Sequence, residues 1–421
     1  MDEDYDYDID YSADELYEYA DGFPESMEYN LRDLWSDCLV PTLSDGIAST
    51  FKLLICCLLL KLNLALTFMP DYSFHFTSAA TGIYCLHSFF GSDILYIILF
   101  AAVGYGIMIL ANDVLKQYQG TVCVFSCFMF AIICELFFAE KSLWHRIRGS
   151  QMLLSMKLIS LAFDTQFSGN DLPPVIACFG FLFHPGTVIF GPWISYSSYM
   201  NSRQSIKVDF SWISSIIRSL IFSFGFLSIS TCWTSWFFYS PGWKISSVVS
   251  ALDIEIPRSL VEVVIWWNVP MHFWLKTYVF KTAKPLGDFA AVLLTYVASS
   301  LLHGLNFQLA AVLLSLGFYT YIEHVLRRKL ASIFKACILA RKCKAECNHA
   351  YKHTHPYVVI ANCAFGFLAV FHLAYLGVMF DSSSCLEEEG YSMNHTLEKW
   401  SQLDYSSLWV AMCCYLFYYL I

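Results

Sequence analysis

Between Leu39 and the C-terminus, apolar runs of bilayer length follow one another with few charges between them. A hydrocarbon core of about 30 Å takes ~20 residues of helix to cross. Candidate spans lie near residues 47–69, 93–111, 121–139, 212–239, 357–380 and 405–421, with a shorter run at 75–90 of a length that suits an interfacial position. Only 14% of the 421 residues are charged, against about 25% in a soluble domain. The pattern predicts an all-α polytopic membrane protein.

The net charge of −10 belongs to one end of the chain. Residues 1–37 carry −13 and the remainder +3. The first stretch alternates Asp and Glu with Tyr, without an apolar period, and reads as a disordered, solvated tail. An acidic–tyrosine interaction or sulfation segment is the other reading. No basic region precedes a short apolar core, so no cleaved signal peptide is expected. The division is therefore an acidic tail over 1–37 and a membrane domain over 38–421. The sixteen cysteines form no regular framework. Several, such as Cys56, Cys57, Cys123, Cys127, Cys134, Cys413 and Cys414, sit in apolar runs and read as small hydrophobes.

Polar residues inside apolar runs are the functional candidates, because they are costly at membrane depth. His303 lies within Leu301-Leu302-His303-Gly304-Leu305, and an imidazole can exchange a proton near neutral pH. Asn268 follows Trp266 and Trp267 and precedes Val269-Pro270. The bland alternative is a histidine that only hydrogen-bonds a neighbouring helix. Gln151, Ser155 and Lys157 recur at helical spacing, either as a polar stripe facing a cavity or as a helix end with a snorkelling lysine. Pro192, in Phe190-Gly191-Pro192-Trp193, breaks a helix. Broken backbone at membrane depth must line a cavity or be buried in protein.

Basic residues from Arg327 to Lys352 place 326–356 on the cytosolic side. Cys343, Cys347, His349, His353 and His355 lie within this loop. Those residue types bind zinc, but the spacing matches no standard site, and no metal is expected. A membrane-apposed basic loop is the simpler reading, with reversible acylation of Cys343 or Cys347 as another. One further crossing puts 381–404 in the lumen, where Asn394-His395-Thr396 is a glycosylation sequon.

Several words in order resemble the membrane-bound O-acyltransferase family: Pro257-Arg258-Ser259, Val261-Glu262-Val263-Val264, Trp267-Asn268-Val269-Pro270-Met271, Tyr278-Val279-Phe280-Lys281, Ser300-Leu301-Leu302-His303-Gly304 and Tyr321-Ile322-Glu323-His324-Val325-Leu326-Arg327. The blocks Arg148–Asp164, Phe190–Trp193 and Phe371–Gly377 extend the resemblance. The likeness is to the branch that transfers a monounsaturated fatty acyl group to a serine of Wnt proteins. It implies a bundle of roughly 9–11 membrane segments, with broken or re-entrant helices around a central channel, in the endoplasmic reticulum. By the same resemblance His303 and Asn268 are catalytic. Trp266, Trp267, Ser300, Gly304, Arg258, Trp193 and Pro192 are candidates for the substrate and acyl-CoA channel. Palmitoleoyl-CoA is a substrate rather than a cofactor, no cofactor is needed, and the partners are Wnt proteins, acyl-CoA and membrane lipids.

The chemistry fits those types. Acyl transfer from a thioester to a hydroxyl needs a base, an oxyanion donor and an apolar slot. The acceptor brings its own serine, so no nucleophile of this chain is required. Members of that branch carry several tens more residues between Cys232 and Leu252. A helix missing there would alter the topology and open the wall of an acyl tunnel. A lipid-directed acyltransferase, or a catalytically silent Wnt chaperone, are therefore alternatives. A transporter would show an internal repeat, which is not seen, and nucleic-acid binding has no support.

Overall fold

The computed structural model describes residues 32, 34–65, 70–138, 141–169, 171–203, 210–233, 257–344, 346–378 and 393–421. The acidic tail up to Leu31, the shortened stretch after Cys232 and the acidic part of the expected lumenal loop lie outside them. Among the described residues the chain is helical, with one isolated bridge between Ala336 and Tyr351 in place of a sheet.

A turn of π-helix at Leu34–Leu39 leads into α1 (Val40–Ala65), followed by α2 (Asp71–Phe90), α3 (Ile94–Val114), α4 (Gln119–Ile133), α5 (Lys141–Ser168), α6 (Val175–Leu182), α7 (Tyr196–Asn201) and α8 (Phe210–Ser228). Then come α9 (Leu260–Trp267), α10 (Val269–Trp274), α11 (Asp288–Leu302), α12 (Phe307–Phe334), α13 (Pro356–Gly377), α14 (Met393–Gln402) and α15 (Ser406–Leu420). Five stretches of the described residues are long and apolar enough to cross a membrane: Leu34–Leu64, Tyr72–Val114, Lys116–Phe137, Phe307–Phe334 and Pro356–Gly377. Their outward faces carry exposed Leu95, Leu99, Phe125 and Phe367, and the shorter apolar helices α8 and α15 expose Phe226 and Leu416, as a lipid-facing surface requires. The run at 75–90 is not a free-standing segment. It forms most of α2, which packs on α1 and α6 and buries Phe74, Ser78, Cys85 and Leu86. The contact with α6 is close because Gly82 has no side chain: a Cβ there would meet the Phe183 carbonyl.

The central element is α5, which hydropathy alone does not mark as a span. From residue 151 to residue 163 none of its side chains is exposed. A helix with polar residues on several faces is stable at this depth only if neighbours enclose it. Here α3, α4 and α6 do so, together with the π-helical turn Leu275–Phe280 that continues α10. Its Ile147, Leu154, Leu158, Ile159 and Phe163 form the middle of the main apolar cluster.

Lys157 is neither a cavity stripe nor a snorkel. It is fully buried, and its ammonium donates to the carbonyls of Phe181 (3.0 Å) and Leu182 (2.9 Å) and to Thr187 Oγ1 (2.9 Å). These groups lie at the C-terminus of α6 and in the irregular passage after it, where helix geometry leaves carbonyls unpaired. A cation at that end also opposes the helix dipole. The Gln151 amide and Ser155 hydroxyl bond to each other (3.0 Å), which closes the rest of the polar stripe internally. At the periphery, a Cys38–Cys232 disulfide joins the chain before α1 to the end of the α8 segment. Nothing in the cysteine spacing indicates that pairing across 194 residues. Lys157→Met, which keeps the volume but removes three charge-assisted bonds, is expected to cost about 3 kcal/mol or more. Thermal unfolding in detergent, followed by tryptophan fluorescence, measures it.

Candidate active site

Asn268 stands at a break. It ends α9 and begins α10, with φ −149° and ψ 87°. Pro270 at the start of α10 has no N–H to place, so it suits the first turn of a helix. The Asn268 Oδ1 accepts from the Met271 backbone N–H at 3.1 Å, a side-chain N-cap. This fixes which end of the amide faces the backbone. The two N–H donors of the side chain remain directed away from the helix, on an exposed residue.

After α10 the chain continues through Leu275–Phe280, turns at Gly287 (φ +100°) and returns as α11, which packs back along Leu275–Phe280. Asn268 lies nineteen residues before that turn and His303 sixteen after it. At a helical rise of 1.5 Å per residue, both stand about 25 Å from the turn. The hairpin therefore returns His303 to the level of Asn268. No hydrogen bond joins the two side chains among the described residues.

The α5 helix serves as an independent ruler. The Trp274 indole donates to the Met156 carbonyl at 2.9 Å, and the Tyr278 hydroxyl donates to Asp164 Oδ1 at 2.9 Å. Counting back from the first bond, Asn268 lies six residues before Trp274 and Arg148 eight before Met156. That places Arg148 within about 3 Å of the Asn268 level along the axis. Arg148 does reach the other arm of the hairpin: a Cβ on Gly304 would lie 2.9 Å from its Nη1 and 3.1 Å from Glu135 Oε2. The Arg148 charge also acts on His303.

His303 is the C-cap of α11, its N–H bonded to the Ser300 carbonyl at 3.1 Å. Gly304 follows with φ +91°, a conformation that glycine alone adopts without strain. Beyond it the Leu305 N–H donates to both carboxylate oxygens of Glu135 at 2.9 Å. Ser300 and Gly304 are buried and His303 is half-buried. One Arg148 guanidinium nitrogen is buried with no hydrogen-bond partner. This corner thus holds an imidazole, a carboxylate tied to backbone and an unused cationic donor.

The other candidates fall into three places. Trp193 is buried against the α10 continuation, stacked on Phe273 (6.1 Å between centroids) and edge-on to Tyr278 (5.9 Å), and its indole donates to Ser160 Oγ at 3.2 Å. Pro192 precedes it in irregular backbone that lies between buried Val188 and Trp193. Trp266 and Trp267 are exposed beside Asn268 on the α9–α10 break. Arg258 donates to the carbonyls of Cys337 (2.9 Å) and Leu339 (3.0 Å), at the far end of α9 from Asn268. Arg148 and Glu135 were not among the candidates. Arg148 opens one of the resembling blocks, and a cation next to a membrane-depth block was the available signal. Glu135 sits in an apolar run with no neighbouring cue.

A family model for MBOAT, the membrane-bound O-acyltransferase family, matches residues 204–334, which include Asn268 and His303. The chain is 34% identical to the protein-serine O-palmitoleoyltransferase porcupine of Homo sapiens, over 93% of this chain and 98% of that protein. It is 33% identical to the porcupine of Anopheles gambiae over 69% of this chain and 72% of that protein, and 31% identical to that of Drosophila melanogaster over 67% and 66%. The chain belongs to the membrane-bound O-acyltransferase family. The human alignment runs over 455 positions, more than the 421 residues present here, so that relative carries stretches this chain does not.

The Gly304 corner is open to a direct check. Gly304→Ala combines a left-handed backbone, of order 1–3 kcal/mol of strain, with a clash against Arg148, and acyl transfer is expected to fall at least about tenfold. Gly106→Ala, where no atom lies within 4 Å of the added methyl, is expected to leave transfer unchanged. Both are read from initial rates in membranes at matched protein levels.

Proposed function

We propose that this protein, an acyltransferase, moves a palmitoleoyl group from palmitoleoyl-CoA to a serine hydroxyl of a Wnt protein at the endoplasmic-reticulum membrane. The observation that carries this reading is likeness to protein-serine O-palmitoleoyltransferases over 93% of the chain. The Cys38–Cys232 disulfide supports the location, because such bonds persist in oxidising compartments such as the reticulum lumen. In this reading His303 is the general base. As the acceptor oxygen attacks the thioester carbonyl, its proton passes to the imidazole. The C–O bond forms, the C–S bond breaks, and the proton leaves on the CoA thiol. Asn268 is the oxyanion donor or carbonyl clamp: its Oδ1 is occupied by Met271 N–H, and its amide N–H groups are available. The unpartnered Arg148 nitrogen at the Gly304 corner is a further donor for a charged oxygen of the reacting pair. Trp266, Trp267 and Trp193 border the break as candidate walls of the acyl slot. Asn394, exposed at the start of α14, is the candidate glycosylation site.

The test is a microsomal assay in cells without acyltransferase activity of their own toward Wnt. A Wnt protein and an alkyne-tagged monounsaturated fatty acid are supplied. Label on the Wnt serine is expected, falling by about 10²-fold or more in His303→Ala. Asn268→Ala is expected to lower turnover by a comparable factor with little change in acyl-CoA binding. A second reading, a silent Wnt-binding chaperone, is favoured by the positions that this chain lacks against its human relative. Absence of label from inserted protein that still co-purifies with Wnt selects it.

A further inference from the structure

The loop between α12 and α13 contains a group that the proposed transfer does not use. Cys337, Cys343, Cys347 and His349 bring their ligand atoms within 4.8 Å of one another. The Cys337 and Cys347 sulfurs are 3.3 Å apart, and His349 Nδ1 lies 3.6 Å from Cys337 Sγ and 3.5 Å from Cys343 Sγ. We propose that these four side chains hold a zinc ion that folds this loop against the membrane domain.

The distances match the chemistry. Four ligands around zinc, with Zn–S near 2.3 Å and Zn–N near 2.0–2.1 Å, are separated by about 3.5–3.8 Å in a tetrahedron. The sulfurs are too far apart for a disulfide, which needs about 2.05 Å. Three cysteines and one histidine form a common structural zinc set, closed to substrate. Thiolate-rich tetrahedral sites select zinc over magnesium or calcium, which take oxygen ligands. A Cys₃His site with Zn²⁺ carries net charge −1. Lys352 supplies the compensating cation, with its ammonium 3.5 Å from Cys347 Sγ and hydrogen-bonded to the Cys347 carbonyl. On binding, the three thiols give up their protons to solvent and no bond other than metal–ligand bonds is made.

The loop has a structural need for such an ion. Its two ends are held by the bridge of Ala336 with Tyr351, where Cys337 N–H donates to the Tyr351 carbonyl (2.9 Å) and Tyr351 N–H to the Lys335 carbonyl (3.1 Å). Between these ends the described backbone has neither helix nor strand, and the apolar cluster beneath is small: Ala331, Ala336, Cys337, Ile338 and Val358. A loop of this length with little core requires a staple to stay in one conformation. Its conformation matters to its neighbours. The carbonyls of Cys337, Ile338, Leu339 and Ala340 accept hydrogen bonds from Arg258, Arg327 and Ser259. The sequence alone hides the set because its buried member, Cys337, lies before the cysteine–histidine cluster and is brought to it by the bridge.

The test is metal content. The full chain is purified in detergent under reducing conditions without chelator, and its zinc is measured by plasma mass spectrometry. One zinc per chain is expected, with loss from Cys343→Ser and Cys347→Ser, and retention in His303→Ala and Cys413→Ser. To separate loss of a ligand from loss of the fold, the folded wild type is also titrated with a thiol-blocking mercurial in the presence of a zinc-sensitive dye. Release of one equivalent on modification of three thiols supports the site. Metal-free wild type, full zinc in the Cys343→Ser/Cys347→Ser double variant, or a Cys337–Cys347 disulfide in peptide maps each overturns it.

Discussion

Two buried cations hold the irregular backbone on which this fold depends. Unpaired peptide groups at membrane depth cost several kcal/mol each, so a chain that breaks its helices must satisfy the freed groups from elsewhere. Lys157 does this for the end of α6 and the passage toward Trp193. Arg327 does it for the loop after α12, donating to the carbonyls of Ile338 (2.8 Å), Leu339 (3.1 Å) and Arg258 (2.9 Å), to Asn362 (2.7 Å) and to Glu323 (3.1 Å). Glu323 in turn takes the Leu260 N–H at 2.8 Å, one of the unpaired donors at the start of α9. Each cation makes an otherwise unaffordable backbone conformation stable, and the candidate site is assembled from the elements so fixed.

That division explains what the sequence disclosed. Asn268 and His303 are legible because a polar residue in an apolar run contrasts with its surroundings, and because the words around them stand in order. The long spans are legible from length alone. By contrast α5 is hidden as a span: Arg148, Gln151, Lys157 and Asp164 lower its apolarity, although no side chain from residue 151 to residue 163 is exposed. Lys157 shows why. One-dimensional spacing finds the residue but cannot tell a cavity wall from a helix cap, because its partners lie 24–30 residues away. Glu135 and the Cys38–Cys232 pair are further cases of function by long-range meeting, for which local pattern has no signal. For the 75–90 run, length speaks only of depth; that it belongs to the core is visible only in its packing on α1 and α6.

The two catalytic candidates are held by different neighbours. His303 ends a helix whose turn is fixed by Gly304, Arg148 and Glu135, beside the N-terminal part of α5. Asn268 ends α9, whose opposite end is fixed by the Ser259 N-cap, by Arg258 and Ser259 on the carbonyls of the basic loop, and by the Arg327–Glu323 pair on α12. Between these anchors α9 is eight residues long, about 12 Å of rigid helix. The loop thus connects to Asn268 through the eight residues of α9, and to the neighbourhood of His303 through the longer α12, whose Arg327 holds the same loop. Catalysis by a base and an oxyanion donor depends on their separation to a fraction of an ångström. The proposed zinc would thus bear on the candidate site through α9, because the loop it would hold carries the carbonyls that anchor the start of that helix.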